Sequence, residues 1–406
     1  MSAPSPPRTA PPLAVQPARR RSWLVVLTSV VLGAGALVVA ALIVISGGPE
    51  AALVGFVLAA LPVPVLIAVF LWLDRYEPEP WRYLLSALGW GAVMATTLGV
   101  TFTALGVHLS GSDNNLAGVV WAPVTEELTK GLFIVLVVVL RRREIDGVLD
   151  GIVYAGMVGI GFAFTENVLY YMSVYAGDLA GSGQAGSGQA AELGGIGAAT
   201  GLFVLRGVIA PFAHPLFTSA IGIGLGLALY SKSWTGRVLW PILGYLVAVG
   251  LHAAWNGSAM LGGGAAFLLT YVVGMVPVFA LVLGLALWVR RREGKVLAMA
   301  LNDCAHRGWL HPAEIPWIAS LSHRTSARSY ARRMSGSFGA RAVKEYQHAV
   351  VELGFLHDRV MRGRPPRDAF GRHEAIRDRI ALWRPHVVLP PPLPAPPPNL
   401  YGRTAR

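Results

Sequence analysis

The chain has 406 residues, of which 54% are hydrophobic and only 14% are charged. A soluble globular domain has about 25% charged residues, and here the apolar residues form runs longer than the ~18 that mark a membrane-spanning helix. This composition excludes a typical soluble enzyme. The single cysteine, Cys304, excludes an internal disulfide and a cysteine-based metal cluster within the chain, so a metal site would have to use histidines and carboxylates.

The net charge of +12 is concentrated at one end of the chain. From Arg290 onwards there are 21 Lys and Arg residues against 9 Asp and Glu, whereas residues 1–289 carry 13 of each kind. A basic segment after a last transmembrane helix is typical of cytoplasmic orientation and of attraction to anionic lipid headgroups. We therefore expect this segment to contact the lipid bilayer, and we expect no nucleic-acid partner.

In chain order, the pattern predicts a leader, a membrane domain and a tail. Residues 1–22 are rich in Pro, Ala and Arg and predict a disordered cytoplasmic leader. Eight transmembrane helices are predicted within residues 23–289, at 23–46, 51–73, 83–107, 117–140, 147–172, 207–230, 238–260 and 264–289. A basic, helical cytoplasmic region is predicted at 290–385, before a Pro-rich disordered end at 386–406. The predicted fold class is all-α.

The distribution of Lys and Arg between the loops predicts the orientation. Lys and Arg accumulate in short cytoplasmic loops. The outer loops predicted near 47–50, 108–116, 173–200 and 261–263 contain neither residue, whereas every predicted inner loop contains at least two. We therefore predict a multi-pass protein of the cell (cytoplasmic) membrane with both termini in the cytoplasm.

Four consecutive predicted spans carry polar residues, although an ionisable side chain inside a bilayer costs at least ~2.5 to 3.5 kcal/mol. These residues are Glu126, Glu127 and Lys130 in the fourth span, Glu166 and Asn167 in the fifth, His214 in the sixth, and His252 and Asn256 in the seventh. The helical rise of ~1.5 Å per residue places all four groups roughly 9 to 14 Å below the outer ends of their spans. We expect them to form one polar cavity.

Carboxylates and imidazoles in one cavity indicate hydrolysis. They supply ligands for a tetrahedral Zn²⁺ with an open position for water, together with a glutamate as general base. Glu126 or Glu127 would polarise the water, Lys130 would neutralise the neighbouring carboxylate, and Asn256 would donate to a developing oxyanion. Two structural interpretations stay open, in which Glu127 and Lys130 form an ion pair that fixes helix packing and His214 only joins two helices.

These residues resemble a known motif series. The EELTK and FAFTEN sequences, followed by His214 and His252, are similar to the motifs of the PrsW family of intramembrane metalloproteases, itself similar to the CAAX-type membrane proteases. The resemblance spans about residues 50–290. It implies an endopeptidase that cuts membrane-anchored protein substrates, such as anti-sigma factors, on the extracytoplasmic side. The implied active site comprises Glu126, Glu127, Glu166, His214 and His252, with Glu166 and the histidines as metal ligands and Lys130, Asn167 and Asn256 supporting them.

Two other classes of function stay open. A proton-coupled secondary transporter also places Glu and His within its membrane spans, and a non-catalytic scaffold needs no site at all. Transporters usually contain internal repeats, and the first and last four predicted spans share no motif. The predicted polar groups also lie on one side of the membrane, whereas a carrier needs a route to both. The leading hypothesis is therefore a membrane protease, and a carboxylate mechanism without a metal stays open.

Overall fold

A computed structural model of the chain describes residues 22–140, 145, 147–177, 195–261, 263–363, 365–366 and 368–392. Within these ranges the regular elements are helices, and no β-strand occurs. The predicted all-α fold class is confirmed. The predicted leader up to residue 21, the repeat GSGQAGSGQA at 181–190 and the Pro-rich end from 393 lie outside the described ranges.

The helices of the membrane part succeed one another along the chain with short connections. They are α1 (Ser22–Ala60), α2 (Val63–Leu73), α3 (Trp81–Gly89), α4 (Thr96–Ser110), α5 (Asn114–Leu116), α6 (Ala122–Leu140), α7 (Val148–Tyr175), α8 (Gly195–Phe203), α9 (Ala213–Tyr230), α10 (Trp234–Leu261), α11 (Gly263–Leu269) and α12 (Val276–His306). Four π-helical segments connect neighbouring helices, at Trp90–Ala95, Ala117–Trp121, Val204–Ile209 and Thr270–Met275. Single π-turns of this kind are frequent at functional sites.

Six helical stretches are long and apolar enough to cross a membrane. They are Gly47–Leu73, Trp81–Ser110, Val148–Tyr175, Gly195–Tyr230, Trp234–Leu261 and Gly263–His306. They confirm a polytopic membrane protein. The two other predicted spans correspond to the part of α1 before Gly48, where the apolar stretch is shorter, and to α6, which has 19 residues. Helix α6 carries three ionisable residues, Glu126, Glu127 and Lys130.

The sixth predicted span begins earlier than residue 207. Helix α8 begins at Gly195, in a Gly- and Ala-rich sequence whose composition is that of a flexible loop. Its apolar side chains Ala198 and Leu202 are buried against Tyr171 of α7, and this packing outweighs the low helix propensity of glycine. The prediction of an outer loop up to residue 200 is therefore wrong from residue 195 onwards.

The last predicted span, 264–289, ends later in the structure. Helix α12 continues to His306 and includes the basic residues 290–292. Its final turns bury Leu297 and Leu301 in the core of the tail, so they are held by packing rather than by lipid. The membrane part and the tail are thus joined by one continuous helix.

The tail adds three further helices to the end of α12. They are α13 (Pro316–Ala319), α14 (Leu321–Met361) and α15 (Ala369–Trp383). The predicted amphipathic face of Val343, Tyr346, Val350 and Leu353 is buried. The connection between α2 and α3 reaches this core, because Tyr76 packs against it and Arg324 Nη1 donates to the Tyr76 carbonyl at 3.3 Å.

Helix α7 lies at the centre of the membrane part and is buried along nearly its whole length. Its glycines let neighbouring backbones approach closely. At Gly159 a Cβ atom would lie 2.7 Å from the backbone of Pro215, so only glycine allows α9 to pack this tightly. This contact fixes the start of α9, where His214 lies, against α7.

The connection between α2 and α3 contains a buried carboxyl group that makes a pH-dependent contribution to stability. Asp74 Oδ2 accepts a hydrogen bond from the Glu79 backbone N–H at 2.7 Å, and burial raises the pKa of Asp74 from 3.8 to about 8. Between these values the folded carboxyl keeps a proton that the unfolded chain has released. The free energy of unfolding therefore falls as the pH rises through this window.

We predict that Asp74→Asn reduces this pH dependence, because the amide is neutral at every pH and its oxygen can still accept the Glu79 hydrogen bond. The measurement is thermal unfolding of the detergent-purified protein between pH 5 and 8. The exposed Asp113 provides the control variant, Asp113→Asn. Parallel loss of stability with pH in the wild type and in Asp74→Asn would contradict the assignment.

Candidate functional site

Helix α6 supplies three ionisable side chains to the interior of the membrane part. Glu127 and Lys130 are fully buried, with exposed fractions of 0%, whereas the Glu126 side chain retains 12%. Lys130 Nζ lies 2.8 Å from Glu127 Oε1 and 3.6 Å from Glu126 Oε2. It also lies 3.5 Å from the centre of the Phe162 ring, a cation–π contact with α7. The spacing of three and four residues places both glutamates beside the lysine.

The carboxylate of Glu127 is occupied on both oxygens. Oε1 accepts hydrogen bonds from Lys130 Nζ and from His252 Nδ1 at 3.0 Å, and Oε2 accepts one from Thr218 Oγ1 at 3.0 Å. These partners come from α6, α10 and α9. Glu127 therefore joins three helices and has no oxygen left without a donor.

The carboxylate of Glu126 differs from that of Glu127. Its Oε2 atom is buried and has no hydrogen-bond partner. Lys130 Nζ at 3.6 Å and His252 Nε2 at 3.7 Å lie within ion-pair distance of this oxygen but beyond hydrogen-bond distance. A buried carboxylate oxygen without a donor is unfavourable unless a water or a cation completes it.

The two histidines meet beside this oxygen. The rings of His214 and His252 lie 5.1 Å apart in an edge-to-face arrangement, and the Phe217 ring stacks on His252. One ligand atom each from Glu126, His214 and His252 lies within 4.8 Å of the others. Among the described residues this is the one group of at least three His, Cys, Asp or Glu side chains with such geometry.

Glu166, predicted as a metal ligand, lies beside this group and contacts one of its members, His214, together with Arg206. Its Oε2 atom accepts hydrogen bonds from His214 Nε2 at 2.7 Å and from Arg206 Nη2. Lys130 Nζ lies 3.3 Å from the other ring nitrogen, His214 Nδ1. Since an ammonium group only donates, these partners assign the proton of His214 to Nε2.

The two predicted asparagines have structural partners. Asn256 Nδ2 donates to the Gly118 carbonyl at 2.9 Å and so joins α10 to the π-helical segment Ala117–Trp121. Asn167 Oδ1 accepts from Arg206 Nε at 2.7 Å. The structure therefore brings Glu126, Glu127, Lys130, His214 and His252 together, and places Glu166, Asn167 and Asn256 around them.

Sequence reasoning missed two residues of this network. Thr218 lies one helical turn after His214, a spacing that places both on one face of α9, but a threonine in an apolar helix gives little signal by itself. Arg206 lies just before residue 207, where the sixth span is predicted to begin, so the predicted boundary leaves it outside the span. Its side chain is instead 5% exposed within a continuous apolar stretch. If the sixth span is taken to begin at Gly195, Arg206 falls inside it, and an arginine within an apolar span would have indicated a functional residue.

The fit of a metal ion follows from the donor set. Two imidazoles and one carboxylate are the protein ligands of several catalytic zinc sites, which keep a fourth position open. His252 Nδ1 and His214 Nε2 are each held by a carboxylate other than Glu126, so an ion would bind His252 Nε2 and His214 Nδ1, and at the latter it would replace the contact with Lys130 Nζ at 3.3 Å. Together with the unpartnered oxygen of Glu126, these residues fit such an ion.

We predict that Lys130→Met destabilises the protein by about 3 to 5 kcal/mol, the cost of leaving one charge of a buried pair without its partner. The double variant Lys130→Met with Glu127→Gln removes both charges and should regain part of the loss. The measurement is thermal unfolding in detergent. If Lys130→Met and the wild type unfold at the same temperature, the ion pair does not contribute the expected free energy of unfolding.

Comparison with known proteins gives a concordant result. Residues 79–282 match the sequence profile described as PrsW family intramembrane metalloprotease. Two relatives named Protease PrsW are similar over 195 residues, or 48% of this chain. The one from Geobacillus kaustophilus (strain HTA426) is 24% identical with 75% of its length covered, and the one from Bacillus subtilis (strain 168) is 25% identical with 78% covered. No solved structure matches the chain.

Proposed function

Because the chain belongs to the PrsW family of intramembrane metalloproteases and is a membrane protease, we propose that Glu126, His214 and His252 form its hydrolytic centre. The observation that carries this proposal is their convergence within 4.8 Å around an oxygen without a donor. The activity is that of an endopeptidase, which hydrolyses peptide bonds of membrane-anchored proteins.

We propose Zn²⁺ as the ion held by Glu126, His214 and His252. Bound there, zinc would act as a Lewis acid that polarises the scissile carbonyl and lowers the pKa of water. The donor set of two imidazoles and a carboxylate supports this choice over a hard cation such as Mg²⁺, which prefers oxygen ligands. Glu166 is therefore proposed as a hydrogen-bond partner of His214 rather than as a ligand.

Glu127 is proposed to position His252 rather than to act as the base. Its oxygens already accept from Lys130, His252 and Thr218 and its side chain is 0% exposed, so it is less accessible to an entering water than Glu126. By holding the proton on His252 Nδ1, it keeps the Nε2 lone pair directed towards Glu126. Lys130 holds Glu127 ionised in the buried site.

With Oε2 assigned to the ion, the other oxygen of Glu126 is proposed to receive a proton from the attacking water. Glu126 is the glutamate of the pair with an exposed fraction, so water can reach it. A group that takes this proton must lie within hydrogen-bond reach of the water or one water away. Asn256 Nδ2 uses one of its two N–H groups to donate to Gly118, so its part as oxyanion donor stays a prediction that would depend on the second N–H.

Access to the site is proposed at the interruption between α8 and α9. The chain leaves helical geometry at Ala210 before α9 begins at Ala213. A cavity of about 10 Å³ opens beside His214 and Trp255, a volume that holds one water molecule. Non-helical backbone at membrane depth is tolerated where it lines a polar cavity.

The substrate class follows from the predicted orientation. With both termini in the cytoplasm of a cell-membrane protein, the centre lies in the outer half of the bilayer, and the cut falls near the outer membrane face. Single-span proteins of the anti-sigma-factor type fit this position. A substrate helix must lose backbone hydrogen bonds before attack, so small residues near the cleavage point should favour it.

The basic tail is proposed to contact anionic headgroups on the cytoplasmic side. Arg332, Arg333, Arg341 and Lys344 of α14 are exposed, and exposed apolar side chains lie among them at Met334 and Phe338. Basic side chains with neighbouring apolar ones are typical of surfaces that lie against a bilayer.

We predict that Glu126→Gln abolishes cleavage of a co-expressed single-span reporter whose outer membrane third contains Gly, Ala and Ser. The amide cannot take the proton of water, while its size preserves packing. His252→Gln should have the same effect and should also reduce zinc content, measured by metal analysis of the purified protein. Asn256→Ala, which changes a residue outside the group, should retain partial activity.

The control is Glu345→Gln, which changes a tail residue distant in sequence from the site. If Glu126→Gln and His252→Gln cleave the reporter at the wild-type rate, the proposed centre is contradicted. This result would favour the carrier hypothesis, in which these residues titrate without hydrolysis.

A further inference from the structure

Arg206 is a buried cation that the proposed hydrolytic centre does not use directly. It lies in the π-helical segment Val204–Ile209, and its side chain is 5% exposed. The guanidinium lies 4.3 Å from the centre of the Tyr170 ring, which covers one of its faces. A buried arginine in a membrane span is costly, so its contacts indicate what it holds in place.

The guanidinium contacts two adjacent residues of α7. Its Nε atom donates to Asn167 Oδ1 at 2.7 Å and its Nη2 atom donates to Glu166 Oε2. Two donors of one planar group thus fix both side chains, a geometry that a lysine cannot reproduce. The orientation of the Glu166 carboxylate is set by Arg206.

The same oxygen of Glu166 also accepts from His214. The distance from His214 Nε2 to Glu166 Oε2 is 2.7 Å. Arg206 and His214 lie on opposite sides of the break at 210–212, where the chain is not helical. Pro211 and Pro215 have no backbone N–H group, so this part of the chain has fewer backbone hydrogen bonds of its own. Glu166 therefore connects the two parts of the broken helix through side chains.

We propose that Arg206 is a positioning residue for His214, acting through Glu166. By fixing the carboxylate that accepts the His214 Nε2 proton, it acts together with Lys130 Nζ, which lies 3.3 Å from Nδ1, to keep the ring in one tautomer and one orientation. This inference rests on the proposed function for its catalytic consequence. Its structural part, the tautomer of His214, does not depend on proteolysis.

The kinetic test compares Arg206→Gln, Arg206→Lys and the wild type on the purified single-span reporter in detergent. Losing a residue that orients a ligand through its partner typically lowers activity by about 10- to 100-fold. We expect this loss in kcat, with KM unchanged, because Arg206 does not touch the substrate. Arg206→Lys should recover part of kcat, since it keeps the charge beside Glu166. The exposed Arg237 gives the control variant, Arg237→Gln, which should match the wild type.

A double-variant cycle separates positioning from a general effect on packing. If Arg206 acts through Glu166, Arg206→Gln combined with Glu166→Gln should lose no more kcat than the more damaging single variant. If the fold-loss of kcat in the double variant equals the product of the two single-variant losses, the proposal is overturned. A wild-type kcat in Arg206→Gln, or a change confined to KM, would also overturn it.

The tautomer of His214 gives a readout independent of cleavage. In chelator-treated protein labelled with ¹⁵N-histidine, the resonances missing from His214→Gln identify this ring. We expect one tautomer with the proton on Nε2 in the wild type and in Arg237→Gln, and a mixture in Arg206→Gln. An unchanged tautomer would overturn the proposal. Should Arg206→Gln fail to accumulate, Arg206→Lys carries the same test, with a smaller admixture of the second tautomer expected.

Failure of the two proposals can be told apart. If the wild type leaves every reporter uncut while the tautomer depends on Arg206, the proposed hydrolytic function fails and the positioning of His214 stands. If the wild type cuts and the tautomer is independent of Arg206, the reverse holds.

Discussion

The fully buried ion pair of Glu127 and Lys130 determines how the surrounding helices must pack. An unpaired charge in an apolar interior costs several kcal/mol, so every polar atom of the pair needs a partner. Thr218 and His252 complete the carboxylate, and the Phe162 ring faces the ammonium group. Helices α7, α9 and α10 therefore each contribute a side chain to α6. The convergence of these four helices is an electrostatic requirement as much as a matter of apolar packing.

Helix α7 makes this convergence possible through close backbone contact. Because Gly159 admits the backbone of Pro215, the first turn of α9 is held beside α7, and His214 comes within hydrogen-bond distance of Glu166. A larger side chain at 159 would separate the helices and this pair together. The close contact between Gly159 and Pro215 therefore also places His214 beside Glu166. Small residues are common where membrane helices approach closely.

The sequence predicted the all-α membrane fold and the meeting of Glu126, Glu127, Lys130, His214 and His252, since ionisable residues in apolar helices must find one another. Apart from the ion pair of Glu127 and Lys130, which it left as one of two interpretations, it did not predict their individual partners. Adjacent glutamates point about 100° apart on a helix, and the rotation of α6 against its neighbours decides which one faces the histidines. That rotation depends on contacts distant in the sequence. Arg206 was missed for a local reason, the misplaced start of a Gly- and Ala-rich helix.

The two histidines are held by separate carboxylates and through opposite ring nitrogens, His252 by Glu127 through Nδ1 and His214 by Glu166 through Nε2. Each carboxylate has its own cation, Lys130 or Arg206, so neither histidine is free to exchange partners. A carrier needs groups that change partners as it alternates between the two sides of the membrane. A hydrolytic centre needs the opposite, ligands locked by their neighbours in one geometry. The duplicated arrangement of histidine, carboxylate and cation therefore favours hydrolysis.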